Sequence, residues 1–120
     1  MYDPFEHAER AGIEVLYRNI RTANSCWYPE HNLIVMRQGM RHVQTRSALA
    51  HEMGHVTYGH TDDRPKHEVQ ADRWAADMLI DKEQVSTLLE WVPDSARLAA
   101  ELGVTTRLVR VYLNVHHLAR

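Results

Sequence analysis

The sequence predicts an α+β fold in which a small β-sheet of about three strands, antiparallel or mixed, packs against a mainly helical remainder. Two observations support this class: short strand-like runs fill the first 40 residues, and from residue 41 onward apolar residues recur at helical spacing. A third observation places the centre of the fold. His51 and His55 lie four residues apart inside the first long helical stretch, which we expect to be the central helix.

Composition favours one globular domain over residues 1–120. Hydrophobic residues make up 44% and charged residues 25% of the chain, which is ordinary for a globular protein. A net charge of -2 leaves no electrostatic footprint for bulk nucleic-acid binding, and no apolar run approaches the roughly 20 residues of a membrane span. The single cysteine, Cys26, excludes an internal disulfide, and residues 1–6 lack a signal peptide's apolar stretch. We therefore expect a cytoplasmic protein without membrane contact.

The N-terminal part is predicted to form a helix and then strands. A short helix over residues 5–11 has Asp3 as its cap and Gly12 beyond its end. Three strand-like runs follow, at residues 13–17, 26–28 and 33–36. Turn-forming residues 29–32 separate the last two runs, which predicts a β-hairpin.

The remaining chain is predicted to be helical. The expected helices cover residues 41–58, 66–80, 82–91, 94–103 and 105–118. Gly59 suits the C-terminal end of the first of these helices. In the second, apolar residues recur from Ala71 to Leu79 at the spacing of a half-buried helix.

The chemistry is concentrated in His51-Glu52-x-x-His55. Residues four apart lie nearly above one another on a helix, so the two imidazoles would point to one place and supply two ligands of a tetrahedral zinc site. On the same helix Leu49 marks an apolar face about 200–240° away from the histidines, which argues against histidines that merely fill the core. Glu52 is well placed to take a proton from a water activated by Zn²⁺.

The third ligand is less directly indicated. Glu68, early in the second long helix, is the preferred candidate because two antiparallel helices joined by a short loop would bring it opposite the histidines. Asp72, one turn further on, would accept the ring N–H of a ligand histidine, most simply His51, and so fix its tautomer. The alternative for both acids is a solvated helix face. Rival ligands are His60, which we place in a loop or at the surface, His67 and Asp77.

These two segments together resemble the ImmA/IrrE-type metallopeptidases. The resemblance covers residues 51–60 and 68–80, where the family carries HExGH…GH followed by E-x-E-A-(N/D)-x-F-A-A. Three positions depart from the family pattern without removing a candidate ligand: Gln70, Trp74 and Asp81. The resemblance implies a zincin-like domain.

The resemblance also implies an activity. It places one zinc ion per chain on His51, His55 and Glu68, with Glu52 as catalytic base. The implied reaction is endopeptidase cleavage of a specific protein, such as a helix-turn-helix repressor. We expect the substrate strand to pair with an exposed sheet edge at residues 33–36. Tyr58 lies seven residues after His51 and is a candidate transition-state donor, with simple packing as the alternative.

Two other functions remain open. Residues 94–118 have the spacing of a helix-turn-helix, with Gly103 in the turn and Arg107 and Arg110 on the second helix. A DNA-binding module is disfavoured by the near-neutral charge, so these helices are expected to belong to the peptidase domain. A metal-bound but inactive adaptor that sequesters a repressor is the second alternative.

Overall fold

The computed structural model describes residues 1–118, and its architecture confirms the predicted α+β class. In chain order the elements are α1 (Pro4–Arg10), β1 (Glu14–Arg18), β2 (Ser25–Tyr28), β3 (Leu33–Arg37), α2 (His42–Tyr58), α3 (Pro65–Leu79), α4 (Lys82–Leu89), α5 (Ser95–Leu102) and α6 (Thr106–Val115). A single 3-10 turn, Pro29–His31, connects β2 to β3. Most predicted ends lie within two residues of the observed ones. The last helix stops earlier than expected because His117 adopts a positive φ.

The sheet is mixed, with β3 in the middle. β3 pairs in parallel with β1 and antiparallel with β2, so the predicted hairpin is confirmed. The prediction that residues 33–36 form an exposed edge is wrong, because both sides of β3 are paired. β3 is the most apolar strand, and Ile34 and Met36 on it are fully buried, which suits the central position. The free edges belong to β1 and β2.

Helix α2 separates two apolar cores. One core lies between α2, α1 and the sheet, and includes Leu49 and Met53 of α2. The other is formed mainly by α3, α4, α5 and α6, and Ala50 is the contribution of α2. Because successive residues of α2 face different cores, the helix is fixed from both sides. The direction of its remaining face, which carries the histidines, is fixed with it.

Helices α2 and α3 approach each other at Gly54. A Cβ atom built on Gly54 would lie 2.9 Å from both the Cα and the carbonyl oxygen of Ala71. Only glycine allows this backbone contact. Gly54 immediately precedes His55, and Ala71 follows Glu68 by three residues, so the same contact brings the glutamate towards the histidines.

The helix-turn-helix-like segment is built into the helical core. Its turn is attached to α2, since the Arg46 guanidinium donates to the Gly103 carbonyl over 2.8 Å and the Thr105 N–H donates to the Ser47 hydroxyl over 3.3 Å. Leu98 and Leu108 are buried in the core shared with α3 and α4. Within residues 1–118, no helix has both the length and the apolar character required to cross a bilayer.

Candidate metal centre

Three side chains converge beside α2. The Nε2 atoms of His51 and His55 lie 3.1 Å apart. Glu68 Oε2 lies 2.5 Å from Nε2 of His51 and 3.3 Å from Nε2 of His55. The two imidazoles come from one face of α2 because their positions differ by four residues, and the carboxylate comes from the first turn of α3. The predicted ligand set is therefore close enough to bind one metal ion.

The donor set fits zinc. A tetrahedral ion with bonds of about 2.0–2.1 Å requires ligand atoms about 3.3 Å apart. Two of the three separations are close to this value, and the His51–Glu68 pair needs to open by less than an ångström. Two imidazoles and one carboxylate, with a further position left open, are the ligands of many catalytic zinc sites.

Asp72 holds the ring of His51. The His51 Nδ1–H donates to Asp72 Oδ1 over 2.7 Å, and the other carboxylate oxygen accepts from the guanidinium of Arg107 over 2.6 Å. This is the contact that the sequence suggested for Asp72. With its hydrogen on Nδ1, His51 presents the lone pair of Nε2 to the metal position. Arg107, a candidate DNA contact in the sequence, is instead the outer partner of this carboxylate.

His60 contacts the other histidine. It is buried, and its Nδ1 lies 2.9 Å from Nδ1 of His55, while its Nε2 lies 2.9 Å from Oε1 of Gln70. The prediction of a loop or surface position is confirmed only in part: His60 lies in the loop after α2, but it is buried because it folds back against the helix end. The sequence signal is Gly59 at a helix end, because the residue after such a glycine returns to the last helical turn.

Glu52 lies in the floor of the cleft and is 5% exposed. Its Oε2 accepts a hydrogen bond of 2.6 Å from the hydroxyl of Ser25, at the start of β2. Burial raises the pKa of the Glu52 carboxyl, and nearby His51 and the Ser25 hydrogen bond oppose that rise. A raised pKa suits a group that must accept and then release a proton near neutral pH. The contribution of Ser25 was not anticipated from the sequence, since it comes from a strand that is remote along the chain.

The two candidate ligand histidines have opposite pKa shifts. Burial lowers the pKa of His51, but the hydrogen bond to Asp72 and the neighbouring carboxylates outweigh it, so the net shift is upward. Burial also lowers the pKa of His55, and the charge of His51 adds to this effect. His55 is therefore held neutral more firmly than His51, although both must be neutral to bind a metal.

Two cavities meet at the candidate site. The first, of about 390 Å³, runs along β2 towards the acidic residues 62–63. The second, of about 440 Å³, extends between α2 and the start of α6. Both are lined by Ser25, Glu52 and Glu68. The cleft therefore extends to both sides of the candidate metal position.

The other candidate site residues, His67, Asp77 and Tyr58, contact other side chains. His67 donates to Asp62 over 2.7 Å and stacks on the ring of His60, and Asp77 accepts from His116 over 2.7 Å. The Tyr58 ring also stacks on His60, with centroids 5.4 Å apart, and Tyr58 lines neither cavity. Its packing role is thus visible, and its role as a transition-state donor stays a prediction.

Comparison with known proteins agrees with this geometry. No curated protein matches the chain at a significant level. A family model, Peptidase M78, described as an IrrE N-terminal-like domain, matches residues 8–114. The match spans the sheet, both site helices and most of α6, and it confirms the resemblance to the ImmA/IrrE group. Because the family model matches nearly the whole chain, the protein belongs to the M78 family of metallopeptidases.

Proposed function

We propose that the protein is a zinc-dependent endopeptidase in which Glu52 is the general base. The observation that carries the proposal is the convergence of His51, His55 and Glu68 at one point beside Glu52, in the middle of an open cleft. A site in the middle of a cleft that is open on both sides fits cleavage within a substrate chain. A cleft closed on one side of the site would instead fit removal of terminal residues.

When bound, zinc would supply a Lewis acid and would lower the pKa of a coordinated water towards about 7. Glu52 takes the proton of the attacking water and delivers it to the leaving amine. Ser25 keeps the carboxylate of Glu52 pointed into the cleft through its hydroxyl. The hydrogen bond between His51 and Asp72 would keep Nε2 of His51 directed towards the position where zinc would bind.

The substrate segment is proposed to lie along β2. This strand pairs only with β3 in the sheet, so one of its edges is unpaired, and its residues 25–28 line the first cavity. An extended peptide could add there as a fourth strand and pass over Glu52. The proposal replaces the edge at residues 33–36, which the sheet order excludes.

The partner is proposed to be a specific protein, with a helix-turn-helix repressor as the leading candidate. Support for this partner comes from the family resemblance of residues 51–60 and 68–80 and not from the cleft itself. The cytoplasm stays our expected location, and the single cysteine Cys26, which is a free thiol, suits a reducing compartment.

The direct test compares the zinc-loaded protein with Glu52→Gln. Both are incubated with a peptide library and with a panel of helix-turn-helix proteins, and new N-termini are identified by mass spectrometry. We expect the parent to cleave and Glu52→Gln to bind zinc equally but not to cleave. Cleavage by Glu52→Gln would remove Glu52 from the base role, and no zinc-dependent cleavage by the parent in either set would reject the peptidase proposal.

A further inference from the structure

We propose that His60 is a positioning residue that fixes the tautomer of His55, so that Nε2 of His55 is available to the metal. The inference rests on the metal-binding part of the proposed function and is independent of hydrolysis. His60 is not a candidate ligand here, because Nδ1 faces His55 and Nε2 faces Gln70. Its ring is instead one step removed from the metal position.

The direction of the hydrogen bonds follows from the acceptor at the far end. The Gln70 amide oxygen can only accept, so Nε2 of His60 must carry the hydrogen. A neutral imidazole has one donor and one acceptor, which leaves Nδ1 of His60 as the acceptor. His55 then donates from Nδ1 over 2.9 Å, and its Nε2 keeps the lone pair. The chain Gln70–His60–His55 thus selects the metal-binding tautomer.

The backbone holds His60 in place for this task. Gly59 is left-handed with φ of +69° and ends α2. The N–H of His60 donates to the carbonyl of His55 over 2.9 Å, and the N–H of Gly59 donates to that of Val56 over 3.1 Å. This pair of bonds is the Schellman arrangement, which places the residue after the glycine beside the helix position five residues earlier. The contact between His60 and His55 is therefore set by the helix end itself.

The surroundings of the ring restrict it further. The His60 ring stacks in near-parallel orientation on His67, with centroids 3.9 Å apart, and on Tyr58. His60 is 7% exposed and His55 is 4% exposed, so water does not readily replace the hydrogen bond between them. Removing the acceptor would leave a buried N–H unpaired or would shift His55 to the tautomer that carries its hydrogen on Nε2. Either result weakens metal binding.

The test separates the shape of the ring from its acceptor nitrogen. His60→Phe keeps an aromatic ring of similar volume but has no acceptor, whereas His60→Asn can present an amide oxygen near the position of Nδ1. Zinc and cobalt affinities are measured by competition with a chromophoric chelator. We expect His60→Phe to lose about 10–100-fold in affinity, as outer partners of metal ligands typically do. His60→Asn should remain close to the parent.

The matched control is His67→Phe. This variant retains a ring against His60, and position 67 contacts neither His51 nor His55. Its metal affinity should equal that of the parent. Parent-like affinity in His60→Phe, or an equal loss in His60→Asn and His60→Phe, would overturn the proposal. If His60→Phe does not fold, His60→Leu replaces it in the same comparison.

A second measurement needs no variant. Long-range ¹H–¹⁵N spectra of the zinc-loaded parent report which ring nitrogen of each histidine carries hydrogen. We expect hydrogen on Nδ1 of His55 and on Nε2 of His60; hydrogen on Nδ1 of His60 would overturn the assignment. The two proposals can fail separately. If only the peptidase proposal is wrong, zinc binding still depends on His60, but the protein cleaves nothing.

Discussion

Gly54 and Ala71 bring the backbones of α2 and α3 into contact, and the candidate ligands lie on either side of that contact. A methyl group on Gly54 would meet main-chain atoms of Ala71 at 2.9 Å, so the two helices would have to separate. Glu68 and the two histidines are on opposite members of this pair. The distance between ligands is therefore controlled by a residue that binds no metal.

We expect Gly54→Ala to weaken both the fold and the metal site. Alanine gains about 1 kcal/mol in helix propensity, but forcing a Cβ atom into a close-packed contact costs about 1–3 kcal/mol. Because the opposing atoms are backbone, we expect a net loss of stability of about 1–2 kcal/mol together with lower zinc affinity. Chemical denaturation and chelator competition measure the two effects. Ala48→Gly on the same helix is the control for propensity, and unchanged zinc affinity in Gly54→Ala would contradict the argument.

Glu68→Ala should abolish stoichiometric zinc binding. The variant removes one of three converging ligand atoms, so we expect a larger loss than the 10–100-fold typical of an outer partner. Metal analysis of the purified protein and chelator competition provide the measurement. Asp77→Ala is the matched control, since it removes a carboxylate from the same helix that pairs with His116 instead. A Glu68→Ala protein that retains one zinc ion per chain would assign the third ligand elsewhere.

Asp72 should make the stability of the metal-free protein depend on pH in a defined window. Its hydrogen bond helps to raise the pKa of His51 above the ordinary value of about 6.5. This stabilisation is fully present below pH 6.5 or so and is lost as the pH rises through the folded-state pKa. The unfolding free energy of the parent should therefore exceed that of Asp72→Asn most at low pH. The gap should narrow as the pH rises, down to the part that comes from the lost Arg107 ion pair, which does not depend on the protonation of His51.

Urea titrations between about pH 5.5 and 8.5 in the presence of a chelator measure this difference. Zinc affinity should change in the opposite direction and rise with pH, because protons compete with the metal for His51. A difference between the parent and Asp72→Asn that is constant across the window would show that Asp72 does not act through the protonation of His51.

Ser25→Ala should leave Glu52 without its hydroxyl donor. The Ser25 hydrogen bond lowers the pKa of Glu52 against the effect of burial, so its loss should raise that pKa further. We expect the acid limb of any cleavage profile to move to higher pH and stability at neutral pH to fall by about 1–3 kcal/mol. Ser86→Ala, at an exposed position of α4, is the control for the substitution itself. An unchanged acid limb would show that Ser25 does not tune Glu52.

How far the sequence predicts this site depends on which contacts are local. The spacing of His51 and His55 needs only the period of a helix, so both were identified directly. Glu68 and Asp72 required the pairing of two helices and were supported by the family resemblance. Ser25 could not be found in this way, because its contact with Glu52 joins residues 27 positions apart through the sheet.

The order of the strands was also beyond local reasoning. Each strand-like run was recognised from its composition, but whether β3 is central or at an edge depends on where β1 pairs. The burial of His60 is missed for a different reason. A position just after a helix-ending glycine predicts a loop, and only the geometry of the Schellman motif indicates that the residue after the glycine packs back against the helix.

Helix α3 contributes alternate residues to the site: Glu68 as a candidate ligand, Gln70 as the end of one hydrogen-bond chain and Asp72 as part of the other. Helix α2 contributes the two imidazoles and Glu52, the proposed base. Residues 68–72 of α3 therefore act on the candidate metal position through one carboxylate and two hydrogen-bond chains, whereas α2 supplies both imidazoles. Exchanging residues 68–72 for the corresponding segment of a relative offers a way to change metal preference without altering the His51-Glu52-x-x-His55 motif.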